Sequence, residues 1–291
     1  MTNWDKKVRA RRLSYLLLLL PLFFGIWAGA RERAASNTAG LRATFLKPDF
    51  YEAAYSAARQ ASSSDVEIKG LLVNHHLLAS HLIAQAFEQV ATEEARTVVL
   101  LSPNHFEQGG YRMITSDSSW ATPYGKLSSD RNIVAKLKSS GLVGIDNQPF
   151  VKEHGVSGLV AFIKKSLPNS RIVPIIFKVS TTPMQTRQLS NYLLQILPKD
   201  ALIVASLDMS HYVADKVADS NDGKTVVALE NLDVSNIDKL EVDSRAAFSV
   251  LVEMMRLEGA KFSLLARSSS AKLTGSKDPL DNTSYITGFF E

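Results

Sequence analysis

The side chains with the widest chemical reach in this chain are its six histidines, His75, His76, His81, His105, His154 and His211. Four of them stand just past short apolar runs. Gly70 to Val73 leads into Asn74-His75-His76, and Thr97 to Ser102 leads into Pro103-Asn104-His105. Ala201 to Leu207 leads into Asp208-Met209-Ser210-His211-Tyr212. Such runs read as buried strands, and in open α/β sheets ligands gather at the carboxyl ends of strands. A lone loop histidine more often makes a hydrogen bond than holds a metal. Three at one topological position favour a metal-type site built from His75, His105 and His211. Imidazole suits zinc, copper, iron and nickel, and two histidines plus a carboxylate with open positions is the arrangement of non-haem iron(II).

The remaining residues near these runs carry weaker readings. His76 is the bystander of its pair, and His81 falls on a helix among apolar residues. His211 has the chemistry of a general acid or base. Asp208 either orients His211 or a water, or caps a helix. The chain has no cysteine. That excludes disulfides, thiolate zinc sites, iron–sulfur clusters and a cysteine nucleophile, so any metal must be held by histidine and oxygen. No Gly-x-Ser-x-Gly elbow supports metal-independent hydrolysis.

The elements that must position these residues alternate along the chain. Strands are expected at 70–73, 97–102, 112–115, 171–177, 201–207, 262–266 and 285–290. Helices are expected at 50–60, 78–94, 130–139, 157–166, 183–197 and 243–258, the last strongly amphipathic. Alternation of this kind predicts an α/β fold with a mainly parallel or mixed central sheet covered by helices. The 291 residues, 45% of them apolar, suit one large domain with a substantial core.

The N-terminus reads differently. Lys6, Lys7, Arg9, Arg11 and Arg12 precede a charge-free run from Leu13 to Ala30. The run approaches the ~20 apolar residues that span a bilayer. It predicts a cytoplasmic basic segment (1–12), a transmembrane anchor (13–30), a linker (31–45) and an extracytoplasmic domain (46–291). A cleaved signal peptide ending near Ala28-Gly29-Ala30 is the alternative and gives a secreted or periplasmic protein. Much of the formal net charge of +4 lies in the N-terminal cluster. The basic pI is therefore no argument for nucleic acid, and no nucleic-acid partner is expected.

Several segments together resemble the Memo family, also called AmmeMemoRadiSam system protein B. The family's Gly-Pro-Ser-His-His is similar to Ser102-Pro103-Asn104-His105-Phe106, and its Thr-Pro-Leu-Gly to Thr122-Pro123-Tyr124-Gly125, with Asp130 following. Its Glu-His-Ser is similar to Glu153-His154-Gly155, and its Asp-Leu-Ser-His-Tyr to Asp208-Met209-Ser210-His211-Tyr212. Of its Pro-His-Ala-Gly only His75 is retained. The resemblance implies a fold like that of class III extradiol dioxygenases, with iron or copper as cofactor and redox chemistry. It implies His75 and His105 as metal ligands, and Asp208 and His211 as catalytic residues in the same pocket. It puts a third ligand position near Ser268-Ser269-Ser270-Ala271, where Asp278 is the nearest carboxylate. It also implies AMMECR-type or radical-SAM partners. The function expected is a metal-binding protein, an iron- or copper-dependent oxidoreductase of dioxygenase type. The rival is a non-catalytic module that binds a peptide or small ligand in the same pocket.

Overall fold

The computed structural model describes residues 40–58, 67–276, 278 and 282–291. The strands are β1 (Leu41–Arg42), β2 (Gly70–Val73), β3 (Thr97–Pro103), β4 (Met113–Thr115), β5 (Ser119–Thr122) and β6 (Gly125–Ser128). They continue with β7 (Gly144–Ile145), β8 (Arg171–Phe177), β9 (Leu202–Ser206), β10 (Phe262–Ser269) and β11 (Ser284–Phe290). Eight of them form one sheet in the order β10-β11-β2-β9-β3-β8-β4-β7. The centre, β2-β9-β3-β8, is parallel. Its flanks are antiparallel, β11 against β2 and β4 against β8.

The composition of the central strands explains their place. A parallel sheet is covered on both faces, so its strands are apolar throughout rather than alternating. In β3, Val98 and Leu100 point into one core while Val99 and Leu101 point into the other. On the first face pack helices α1 (Asp49–Ala57) and α2 (Ser80–Glu88), then, after α3 (Arg131–Ser139) and the short α4 (His154–Ser157), α5 (Val160–Ser166). Phe87 and Phe162 anchor that layer, their rings stacked 6.4 Å apart. The second face takes α3, α6 (Pro183–Ile196), α7 (Asp215–Glu230) and α8 (Arg245–Leu257). Helix α8 lays Ala247, Phe248, Leu251, Met254 and Met255 on the sheet. A last short helix, α9 (Ser270–Thr274), follows β10. The sheet is thus mixed with a parallel centre, as the alternation predicts.

One expectation is corrected, and two elements go beyond the sequence reading. Among the described residues no helix is long and apolar enough to cross a membrane, and Leu13 to Ala30 lies outside them. The described residues thus give the fold class no membrane-spanning helix, and they lend the membrane-anchored, extracytoplasmic placement no support. Second, the segment read as linker contributes a strand, β1. β1 pairs in parallel with β5, Leu41 opposite Trp120, and Leu41 and Ala43 are buried. Two residues are too short a run to show periodicity. Third, α7 carries no expectation at all. Its buried face holds Asp222 and Thr225 among apolar residues, so its hydrophobic pattern is faint.

Candidate metal centre

β2, β9 and β3 are parallel neighbours, so their carboxyl ends open on one edge of the sheet. That edge brings His75, Asp208 and His105 together, each two residues past its strand. Asp243 joins from above, two residues before α8 begins. It is locked to the loop after β9 by a reciprocal pair of bonds. The Asp208 amide donates to Asp243 Oδ2 at 3.0 Å, and the Asp243 amide donates to the Asp208 carbonyl at 3.1 Å.

The hydrogen bonds fix which nitrogen each imidazole presents. Ser206 Oγ spends its proton on the Gly155 carbonyl at 2.6 Å. It must therefore accept from His75 Nδ1, 3.1 Å away. His75 Nε2 is left with its lone pair, 3.4 Å from Asp243 Oδ2 and 3.5 Å from Asp208 Oδ2. His105 donates from Nδ1 to Glu153 Oε1 at 2.6 Å, and its Nε2 points at Asp243 Oδ2 from 3.9 Å. Each imidazole thus has its outer nitrogen tied to a protein acceptor and its inner one free, the arrangement that orients metal-binding histidines.

The carboxylates divide sharply. Glu153 is fully buried and accepts from the His105 and Gly155 amides at 2.9 and 3.0 Å. Burial alone would raise its pKa. The His105 hydrogen bond, with the two amides, outweighs that and holds it below the ordinary range. Gly155 is required here, because a Cβ at that position would collide with Ser102 Oγ. Asp243, with a side chain only 9% exposed, leaves Oδ1 enclosed without a hydrogen-bond partner. Burial, reinforced by the adjacent Asp208 carboxylate, pushes its pKa well above the usual range. Burial also lowers the His75 pKa to about 4.

Two groups of ligand atoms lie within 4.8 Å of one another, His75 with His105 and His154, and His75 with Asp208 and Asp243. His154 stacks on His105 at 3.9 Å between ring centroids and 28° between planes. Lone pairs lie in the ring plane, so near-parallel rings aim side by side rather than at one point. His75 stands at 87° to His105 and can converge with it. Burial, then the neighbouring His105, lowers the His154 pKa.

Residues 46–288 match the family described as Memo-like protein. The chain belongs to the Memo-like family. MEMO1 family proteins of Caldivirga maquilingensis and Sulfurisphaera tokodaii are each 27% identical to it over 173 residues. These alignments cover 57% and 56% of this chain and 61% and 59% of those proteins, about three-fifths of the relatives' length. A MEMO1 family protein of Methanothermobacter thermautotrophicus is 21% identical over 233 residues, 76% of this chain and 84% of that protein.

Within this Memo-family site, His75, His105 and Asp208 stand where the strand ends place them. His211 joins neither ligand group. Its Nδ1 donates to the Met209 carbonyl at 2.8 Å, and it bridges to Thr283 at the start of β11. His76 is outside both groups as well, with Nδ1 accepting from the Tyr285 hydroxyl at 2.7 Å. The residues at the expected third ligand position carry other contacts. Ser269 Oγ bonds Asp215 at 2.6 Å and Ser270 Oγ accepts from the Thr283 amide at 2.9 Å, so both serve local structure. Asp278 is in neither group. The carboxylate that the structure adds beside Asp208 is Asp243, hidden in the sequence because an acidic residue just before a helix reads as ordinary helix-start composition.

Proposed function

We propose that this chain binds one divalent transition-metal ion through His75 Nε2, His105 Nε2 and Asp243, and acts as a metal-dependent oxidoreductase. The observation that carries the reading is the convergence of two unprotonated Nε2 atoms on a carboxylate whose other oxygen lacks any partner. Two donors held ~2.1 Å from one ion are ~3.0 Å apart at right angles and ~3.4 Å apart at the tetrahedral angle. The 3.4 and 3.9 Å spacings to Asp243 need only a small contraction. Two histidines and a carboxylate favour iron(II), with copper second. Such an ion supplies open coordination positions for oxidative chemistry.

The protein's own groups divide the remaining work. Asp208 Oδ1 accepts the backbone amides of His75 and His76 at 3.1 and 3.4 Å and holds the loop that carries the first ligand. Glu153 sets the His105 ring. His154, exposed and stacked on His105, takes the proton-carrying role in preference to His211, because it alone of the two lies against the ligand group.

Anaerobic titration calorimetry of the full chain with iron(II) and with copper, paired with elemental analysis, tests this. Stoichiometric uptake is expected. His75→Ala, His105→Ala and Asp243→Asn each lose about a hundredfold in affinity or more, since even outer partners of metal ligands are worth about 10–100-fold. Equal affinity in the parent chain and His105→Ala removes the metal centre and leaves the binding-module reading in front. His154→Gln keeps the metal and loses turnover.

A further inference from the structure

A cleft of 460 Å³ opens directly beside the proposed metal centre, with His105 and Asp243 in its wall. Its volume is in the range of small-molecule sites, ~300–1,000 Å³. Its lining includes the apolar Phe177, Val242, Ile237 and Pro103. It also includes the beginning of α8. Arg245, the first residue of that helix, is exposed and makes no ion pair or side-chain hydrogen bond among the described residues. Ser244 caps the helix by accepting from the Ala247 amide at 3.2 Å. The Arg245 and Ala246 amides keep no acceptor among the described residues, and both residues line the cleft. Lys178 stands on the same cleft and donates only to the Gly109 carbonyl, at 2.6 Å, which leaves two of its three protons.

Unpaired cations and free amides at a helix start form an anion site, and the apolar residues of the same lining ask for a hydrocarbon body. The acids of the cleft set the charge limit. Glu107 Oε1 is held by the Val179 amide at 2.8 Å, Asp238 lies exposed, and Asp243 belongs to the metal centre. Neither Glu107 nor Asp238 pairs with Arg245 or Lys178. Together they disfavour a dianion such as a phosphate ester and leave a singly charged group as the best fit.

We propose that the substrate is a small organic monocarboxylate, its carboxylate held by Arg245 and the Arg245 and Ala246 amides and its apolar body lying along Phe177 and Val242. This names the substrate class of the metal centre argued above and rests on that reading, though the binding itself can be measured apart from it. The test is calorimetric titration of the full chain, metal-free and iron(II)-loaded under anaerobic conditions. The probes are benzoate, phenylacetate and hexanoate, each against its uncharged amide. The acid that fits is expected to bind at least about tenfold more tightly than its amide, the scale of a charge-assisted hydrogen bond. Arg245→Gln is expected to erase that preference while leaving iron(II) affinity unchanged, and Arg245→Lys to restore part of it. No acid binding better than its amide overturns the inference, as does a preference that survives in Arg245→Gln. Failure of the parent chain to take up metal overturns the metal reading instead, and the acid-against-amide comparison on the metal-free chain still decides this one.

Discussion

Glu153 and Asp243 are two carboxylates at one sheet edge, on opposite nitrogens of the His105 ring, and they are treated in opposite ways. Glu153 receives two backbone amides and an imidazole N–H. Asp243 receives one amide, faces two lone pairs, and leaves an oxygen without a partner. A buried polar group left unsatisfied costs about 1–3 kcal/mol, so evolution of a plain scaffold would favour the first arrangement at both places. The difference separates what builds the site from what the site is built for. Glu153 holds His105 in position, whereas Asp243, on the metal reading proposed above, is the group left for a cation.

Substitution is the sharpest way to break that contrast. Glu153→Ala removes the acceptor of three donors at once, and a loss of about 3–5 kcal/mol in unfolding free energy is expected, read by urea denaturation. Asp243→Asn is expected to change metal-free stability by less than about 1 kcal/mol at neutral pH. With its oxygen in the Oδ2 place the amide still accepts from the Asp208 N–H, and its NH2 takes the place of Oδ1, which already lacks a partner, so a buried charge is removed without adding an unpaired group. Equal losses in the two variants would show that Asp243 is scaffold, and the metal reading would lose its main support.

A third carboxylate refines the comparison. Asp222 on α7 is buried, with Oδ1 accepting from Ser284 Oγ at 2.8 Å. Burial raises its pKa to about 6, and no ligand group contains it. Because the folded pKa exceeds the unfolded one, the folded state holds the proton more tightly. The protonated group's contribution is fully present below pH ~4 and is lost as pH rises through about 6. Asp222→Asn is therefore expected to gain about 1 kcal/mol at pH 7–8 and nothing near pH 4, measured by thermal unfolding across pH. A gain independent of pH would show that the benefit is not one of ionisation. Here a raised pKa marks only burial, which is why geometry rather than titration must distinguish a site from a core.

The sequence announces one half of this arrangement and conceals the other. Strands are legible where four or more apolar residues run together, as in β2, β3, β8 and β9, and strand ends then place His75, His105 and Asp208 without further information. The hairpin of β5 and β6 escapes, because Gly125-Lys126-Leu127-Ser128 buries only Leu127 fully and presents mainly polar residues. α7 escapes because the helix buries Asp222 and Thr225. Asp243 escapes for a topological reason. Its approach depends on α8 crossing the sheet so that its start lies over the ends of β9 and β3, and no local pattern encodes that crossing. The one local sign is Val242-Asp243-Ser244, an acid wedged between an apolar residue and a capping serine.

The smallest expected effect tests that last point directly. If the third ligand lay near Ser268 to Ala271, Asp278 would be the carboxylate best placed to serve, and its loss would weaken metal uptake. Ser269 and Ser270 instead hold α9 and the start of β11, through Asp215, the Lys272 amide and the Thr283 amide. Asp278 lies in neither cluster of converging ligand atoms. Asp278→Ala is therefore expected to leave iron(II) affinity within about twofold of the parent chain, a difference of about 0.4 kcal/mol, while Asp243→Asn lowers it by far more. The two variants differ by one carboxylate each, so calorimetry on the pair separates a general change of charge from loss of a ligand. A larger loss in Asp278→Ala than in Asp243→Asn would return the third ligand to the segment after β10.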